Sequence, residues 1–186
     1  DGYAAAQKAN GPRDSRHRIE HIELIDPSDV PRLGQLGIVA SVQPVHAPGA
    51  MDFPLEGTSQ VIGLTRMKDA YLARTLAEAG APLVFASDWP VTDISILRGI
   101  QAALTRRPFD SPGCVDQRVG LEQTLHAYTA GGAWAAHRQD LTGTLRPGMA
   151  ADITVLSGDI EALAPTEIAN LSVRITIAGG RITWQG

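Results

Sequence analysis

One cysteine, no long apolar run and no excess of basic charge distinguish this sequence of 186 residues. Cys114 stands alone, which excludes an internal disulfide framework and agrees with a reducing compartment, so a cytoplasmic location is expected. No adjacent base accompanies it, so it is read as inert. No stretch approaches the ~20 apolar residues of a membrane span, and no charged start leads into an apolar segment as in a signal peptide. Sixteen Lys and Arg against 20 Asp and Glu give a net charge of −4. The only tight basic pair, Arg106-Arg107, reads as a solvated helix end, and without a basic stripe no nucleic-acid partner is expected.

What is present alternates between strand and helix. Tyr3 to Ala9 is a helix former stopped by Asn10-Gly11-Pro12, and because no initiator Met precedes it an upstream segment is expected. His17 to His21 reads as a strand. Asp26 to Gly37 reads as a helix with Val30, Leu33 and Leu36 at helical spacing, and Ile38 to Gln43 as the next strand. Pro44 to Thr65 lacks clear periodicity and is expected to be a long loop. A helix over Met67–Ala79, a strand over Leu83–Ala86, a helix over Ile94–Leu104 and one or two helices over Leu121–Ala136 follow. Such alternation predicts a parallel sheet covered by helices. After Leu141 short β runs take over at Asp152–Leu156, Val173–Ala178 and Arg181–Gln185, the last two joined by Gly179-Gly180 as in a tight hairpin. A domain boundary is expected near Asp140.

The residues that carry chemistry lie where strands end. His21 closes the run Arg18-Ile19-Glu20, and Asp88 follows Leu83-Val84-Phe85-Ala86-Ser87. In a parallel barrel, His and Asp side chains from the carboxyl ends of different strands can converge on one ion. Each also has a plainer reading, His21 as a structural imidazole and Asp88 as a cap of the next helix. His46, just beyond Gln43-Pro44, can reach the same barrel mouth to bind substrate or polarise a carbonyl. Trp89 can wall a pocket, and Arg66 can turn toward an anionic substrate group. His126 and His137 fall on helices and read as surface or packing residues. His17-Arg18-Ile19-Glu20-His21 also fits the H-x-x-E-H pattern of inverted zinc proteases, which requires a helix there.

Four segments in order, Arg18-Ile19-Glu20-His21, Ser41-Val42-Gln43-Pro44-Val45-His46, Ser87-Asp88-Trp89-Pro90-Val91 and Gly143-Thr144-Leu145-Arg146-Pro147-Gly148-Met149-Ala150-Ala151-Asp152, resemble the carboxyl-terminal portion of an amidohydrolase superfamily enzyme. The branch they look most like is amidohydrolase family 3, the group similar to N-substituted formamide deformylases. The resemblance implies an α/β fold: the last three βα units of a (β/α)8 barrel at 1–140, then strands of a composite β-sandwich at 141–186. It implies His21 and Asp88 as ligands of a divalent metal, Zn2+ above others, with Asp88 also the proton shuttle in hydrolysis of C–N bonds. His46, Arg66 and Trp89 are expected to face a small amide-type substrate. Ala86 stands where many relatives carry Gly, and the ligands the family draws from earlier strands would precede Asp1, so the isolated chain is expected to be inactive. The other reading is a noncatalytic assembly module, self-associating as a homo-oligomer through unpaired strand edges.

Overall fold

A computed structural model describes all residues, 1–186. Strand β2 (Val39–Val42) lies between β1 (Arg18–Glu20) and β3 (Leu83–Phe85) and pairs in parallel with both. Every residue of β2 and β3 is buried, as two-sided cover of a parallel sheet demands, whereas β1 is exposed along its length. Side chains alternate between the faces. Ala40, Val42, Leu83 and Phe85 join Leu33, Leu76 and Ala103 in the main core, while Val39 and Val84 turn the other way onto Ala135 and Trp134. Each fully buried Val, Leu or Phe contributes roughly 1.5–3 kcal/mol, so the sheet is held chiefly by its covering helices.

Those helices are α1 (Gly2–Asn10), α2 (Val30–Gln35), α3 (Leu55–Ile62), α4 (Ala73–Glu78), α5 (Ile96–Thr105), α6 (Leu121–Tyr128) and α7 (Ala130–Ala135). Four expectations need correction. Met67–Ala79 is not one helix: a 3-10 turn spans Leu64–Asp69, Tyr71 adopts φ 55°, and only Ala73–Glu78 is α-helical. The cause is tertiary, because Ile25 N–H donates to the Asp69 carbonyl, Tyr71 N–H donates to the Glu23 carbonyl, and Leu24 bridges Ala70. The supposed loop at 44–65 contains α3, which buries none of its residues and so shows no core-facing stripe. Arg106 is buried rather than a solvated helix end. Finally, residues 18–20 are a strand, so His17 and His21 do not share a helix turn and the zinc-protease reading falls.

Strands β4 (Ile153–Leu156), β5 (Val173–Ala178) and β6 (Arg181–Gln185) form a separate antiparallel sheet in that order. Gly179 and Gly180, at φ 56° and 78°, make the β5–β6 hairpin, a turn that needs positive φ at both central residues. Between β4 and β5 a 3-10 turn, Pro165–Asn170, docks on α5: Ile168 is buried and Ala169 N–H donates to Gln101 Oε1 at 2.9 Å. The expected parallel sheet with covering helices is present as three strands, and a closed barrel is not seen.

Candidate metal centre

The three parallel strands deliver their following residues to one place. His21 is the first residue beyond β1, and its N–H continues the ladder by donating to the Ser41 carbonyl at 2.8 Å. The chain then turns sharply, with His21 at φ 71° and Ile22 at φ 48°. Left-handed backbone is costly for such residues, of order 1–3 kcal/mol each, and is retained where the surroundings fix it, often at functional sites. Asp88 lies three residues past β3 with φ 58°. It does not cap the next helix: α5 begins at Ile96 and is capped by the Ser95 side chain. His46 ends a 3-10 turn, Pro44–His46, that follows β2 directly.

His21 Nδ1 lies 3.9 Å and His46 Nε2 3.8 Å from Asp88 Oδ2. One ligand atom from each of the three side chains falls within 4.8 Å of the others. The two imidazoles stack, with centroids 5.9 Å apart and planes 9° from parallel. His46 is 4% exposed, packed edge-on against Phe53, while His21 and Asp88 stay half-open to solvent. Both rings have a side-chain partner: Gln43 Oε1 is 3.0 Å from His21 Nδ1, the same nitrogen that faces Asp88, and Glu23 Oε1 is 3.1 Å from His46 Nδ1, opposite the nitrogen that faces Asp88. His46 Nε2 is buried without a partner. Two imidazoles and a carboxylate with an orphaned nitrogen aimed among them form a donor set that suits a divalent cation.

A small cavity of ≈ 30 Å³, about the room for one water, lies beside this cluster and is lined by His21, Glu23, Gln43, His46, Tyr71 and Arg106, among others. Burial, followed by the charge of Glu23, pushes the Tyr71 hydroxyl up to about 12, so the phenol stays protonated beside that carboxylate. Of the side chains anticipated from sequence, His21, His46 and Asp88 come together. Trp89 is 63% exposed, and Arg66 is exposed on the 64–69 turn; neither lines the cavity. Glu23 and Gln43 escaped the sequence reading. Their signal is the placement two residues after His21 and one residue after β2, positions that matter only once the strands are side by side.

The chain thus presents metal-competent side chains at the carboxyl edge of a parallel α/β sheet, the edge at which barrel enzymes place their chemistry. The profile of the amidohydrolase family matches residues 1–184, and the chain belongs to that family. It is 36% identical over 184 residues to Protein LONG AFTER FAR-RED 3 of Arabidopsis thaliana, covering 97% of this chain and 31% of that protein. The N-substituted formamide deformylase of Arthrobacter pascens is 25% identical over 191 aligned positions, covering 100% of this chain and 34% of the enzyme. Among solved structures, an uncharacterized metal-dependent hydrolase from Pyrococcus furiosus is similar with TM-score 0.61 and 29% identity, over 80% of this chain and 28% of that one. The chain thus spans about a third of the length of the curated relatives it matches. No helix is long and apolar enough to cross a membrane.

Proposed function

We propose that these residues form part of the active centre of a metal-dependent hydrolase that cleaves amide-type C–N bonds of small molecules. The observation that carries this reading is the convergence of His21, His46 and Asp88 from the ends of three adjacent strands. These side chains would hold a divalent ion, and imidazole with carboxylate donors suits Zn2+. Such an ion, when bound, supplies Lewis acidity to water and to the scissile carbonyl. Asp88, whose Oδ2 faces the imidazoles, would take the proton of the attacking water on its other oxygen and deliver it to the leaving nitrogen. Gln43 holds the His21 ring by its Nδ1 edge. Trp89, exposed beside Asp88, offers the substrate an apolar wall, and Arg66 is proposed to meet an anionic substrate group. The single free Cys114 suits a reducing cytoplasm.

Residues 1–140 are proposed as the barrel portion and 141–186 as strands of a β-sandwich. Because the relatives are about three times as long, other segments are proposed to supply further ligands. A complete structural zinc site is worth ~10–16 kcal/mol, and an incomplete set supplies only a fraction of it. Calorimetric titration of the 186-residue chain with Zn2+ is therefore expected to show weak binding and no amide hydrolysis. His21→Ala and Asp88→Asn are each expected to remove that binding. In the protein that carries these residues, Asp88→Asn is expected to slow turnover of a formamide or acyl-amide about 100- to 10,000-fold. Tight binding that survives Asp88→Asn would overturn the assignment. The second reading, a self-associating module, draws on the exposed β1 and β6 strands but leaves the convergence of the three side chains unexplained.

A further inference from the structure

We propose that Glu23 is a positioning residue that fixes the tautomer of His46, keeping the proton on Nδ1 so that Nε2 presents a lone pair toward Asp88. The inference deepens the metal-centre reading above and rests on it for its functional consequence, but its structural content stands by itself.

Geometry supports it at each link. Glu23 Oε1 is 3.1 Å from His46 Nδ1, and a carboxylate offers only acceptor oxygens, so that contact is a hydrogen bond when Nδ1 carries the proton. The imidazole is 4% exposed, so water competes poorly for its nitrogens. Glu23 is itself held. Its carbonyl accepts from Tyr71 N–H at 2.9 Å, the next residue, Leu24, bridges Ala70, and Ile25 N–H donates to the Asp69 carbonyl at 3.1 Å. The segment 23–25 is thereby clamped to 69–71, which fixes the backbone from which the carboxylate projects. On the far side of the ring, Nε2 faces Asp88 Oδ2 at 3.8 Å, beyond hydrogen-bond reach, and has no other partner. Phe53 packs edge-on against the ring, with centroids 5.4 Å apart.

The consequence is chemical. A neutral His46 with its proton on Nδ1 can accept at Nε2, as a metal ligand or from water, but cannot donate there to a carbonyl. Glu23 thus selects a ligand role over a carbonyl-polarising one. A carboxylate behind a ligating imidazole also raises its basicity, and loss of such a partner typically weakens metal binding about 10- to 100-fold.

The test is 15N NMR of the imidazole nitrogens in the 186-residue chain without metal, at pH about 8.5, where an ordinary imidazole is neutral. His46 is expected to show a protonated Nδ1 and a bare Nε2. Glu23→Gln keeps an acceptor oxygen and is expected to preserve that pattern. Glu23→Ala is expected to shift the tautomer ratio by roughly 10-fold or more toward Nε2–H, the change a charge-assisted hydrogen bond supports. Glu23 is about half exposed, so neither substitution opens a core cavity. A proton on Nε2 in the wild type, or an unchanged ratio in Glu23→Ala, would sink the proposal. Zn2+ titration of the same variants separates the two readings: if wild type binds none, the metal-centre reading fails while the tautomer result still decides the role of Glu23.

Discussion

Arg106 and Arg107 are neighbours in sequence with opposite surroundings. Arg107 is exposed, but Arg106 is 8% exposed, donates to the Tyr71 carbonyl and lies 4.6 Å from the centre of the Phe109 ring. No carboxylate pairs with it, and burial brings its pKa down to about 10. Its stabilising part is therefore packing and one bond to a carbonyl rather than an ion pair. Arg106→Ala should cost about 2–4 kcal/mol in urea unfolding, through the void between two rings and an unsatisfied carbonyl. Arg107→Ala should stay within about 0.5 kcal/mol. Equal losses at both positions would contradict the difference in burial. At this same scale, His21 and Asp88 were legible because each lies within three residues of the end of a short β run, where a polar side chain can meet those of neighbouring strands. Glu23 and Gln43 were not, since each acts on a side chain more than 20 positions away.

Elements follow the sequence where local pattern and packing agree. Strand β2 was readable from its apolar run, and α5 from the helical spacing that begins after Ser95. Expectation fails over Met67–Ala79, where good helix formers are pulled into an extended bridge by Leu24 and Glu23. Close approach of α2 and α4 is a second feature that only packing explains. A Cβ at Gly34 would sit 2.2 Å from the Ala79 carbonyl oxygen and 2.9 Å from the Gly80 carbonyl carbon. Backbone at both sides leaves no flexible side chain to yield. Gly34→Ala, which by helix propensity alone would stabilise α2, is expected instead to destabilise the protein by about 1–3 kcal/mol through overpacking. A raised melting temperature would show that the two helices separate readily.

Across the whole molecule, charge and topology set how it responds to its surroundings. Asp14, Asp26, Asp116 and Asp152 all titrate below the ordinary value of 3.8, each held as carboxylate by hydrogen bonds. For Asp152 the donors are the Gly179 N–H at 2.8 Å and the Thr142 hydroxyl at 3.0 Å, which tie the β5–β6 turn to the chain leading into β4. A carboxyl whose folded pKa is depressed stabilises fully above its unfolded pKa and loses that contribution as pH falls through the folded one. Stability should therefore decline below about pH 4, where these four carboxylates gain protons. The difference in melting temperature between wild type and Asp152→Asn is expected to shrink through the same window. A difference that persists unchanged to low pH would show that the ionised carboxylate is not what joins the two segments.

The sequence by itself determined the alternation of strands and helices, the parallel sheet, the later antiparallel strands and the residues placed at strand ends, because periodicity, turn residues and burial act over a few neighbouring positions. Only the tertiary structure decided that His46 is buried beside His21 and Asp88, that Glu23 stands behind it, and that Arg106 is inside. Those outcomes depend on which segments lie side by side, and side-chain distances between remote positions are set by packing rather than by local preference.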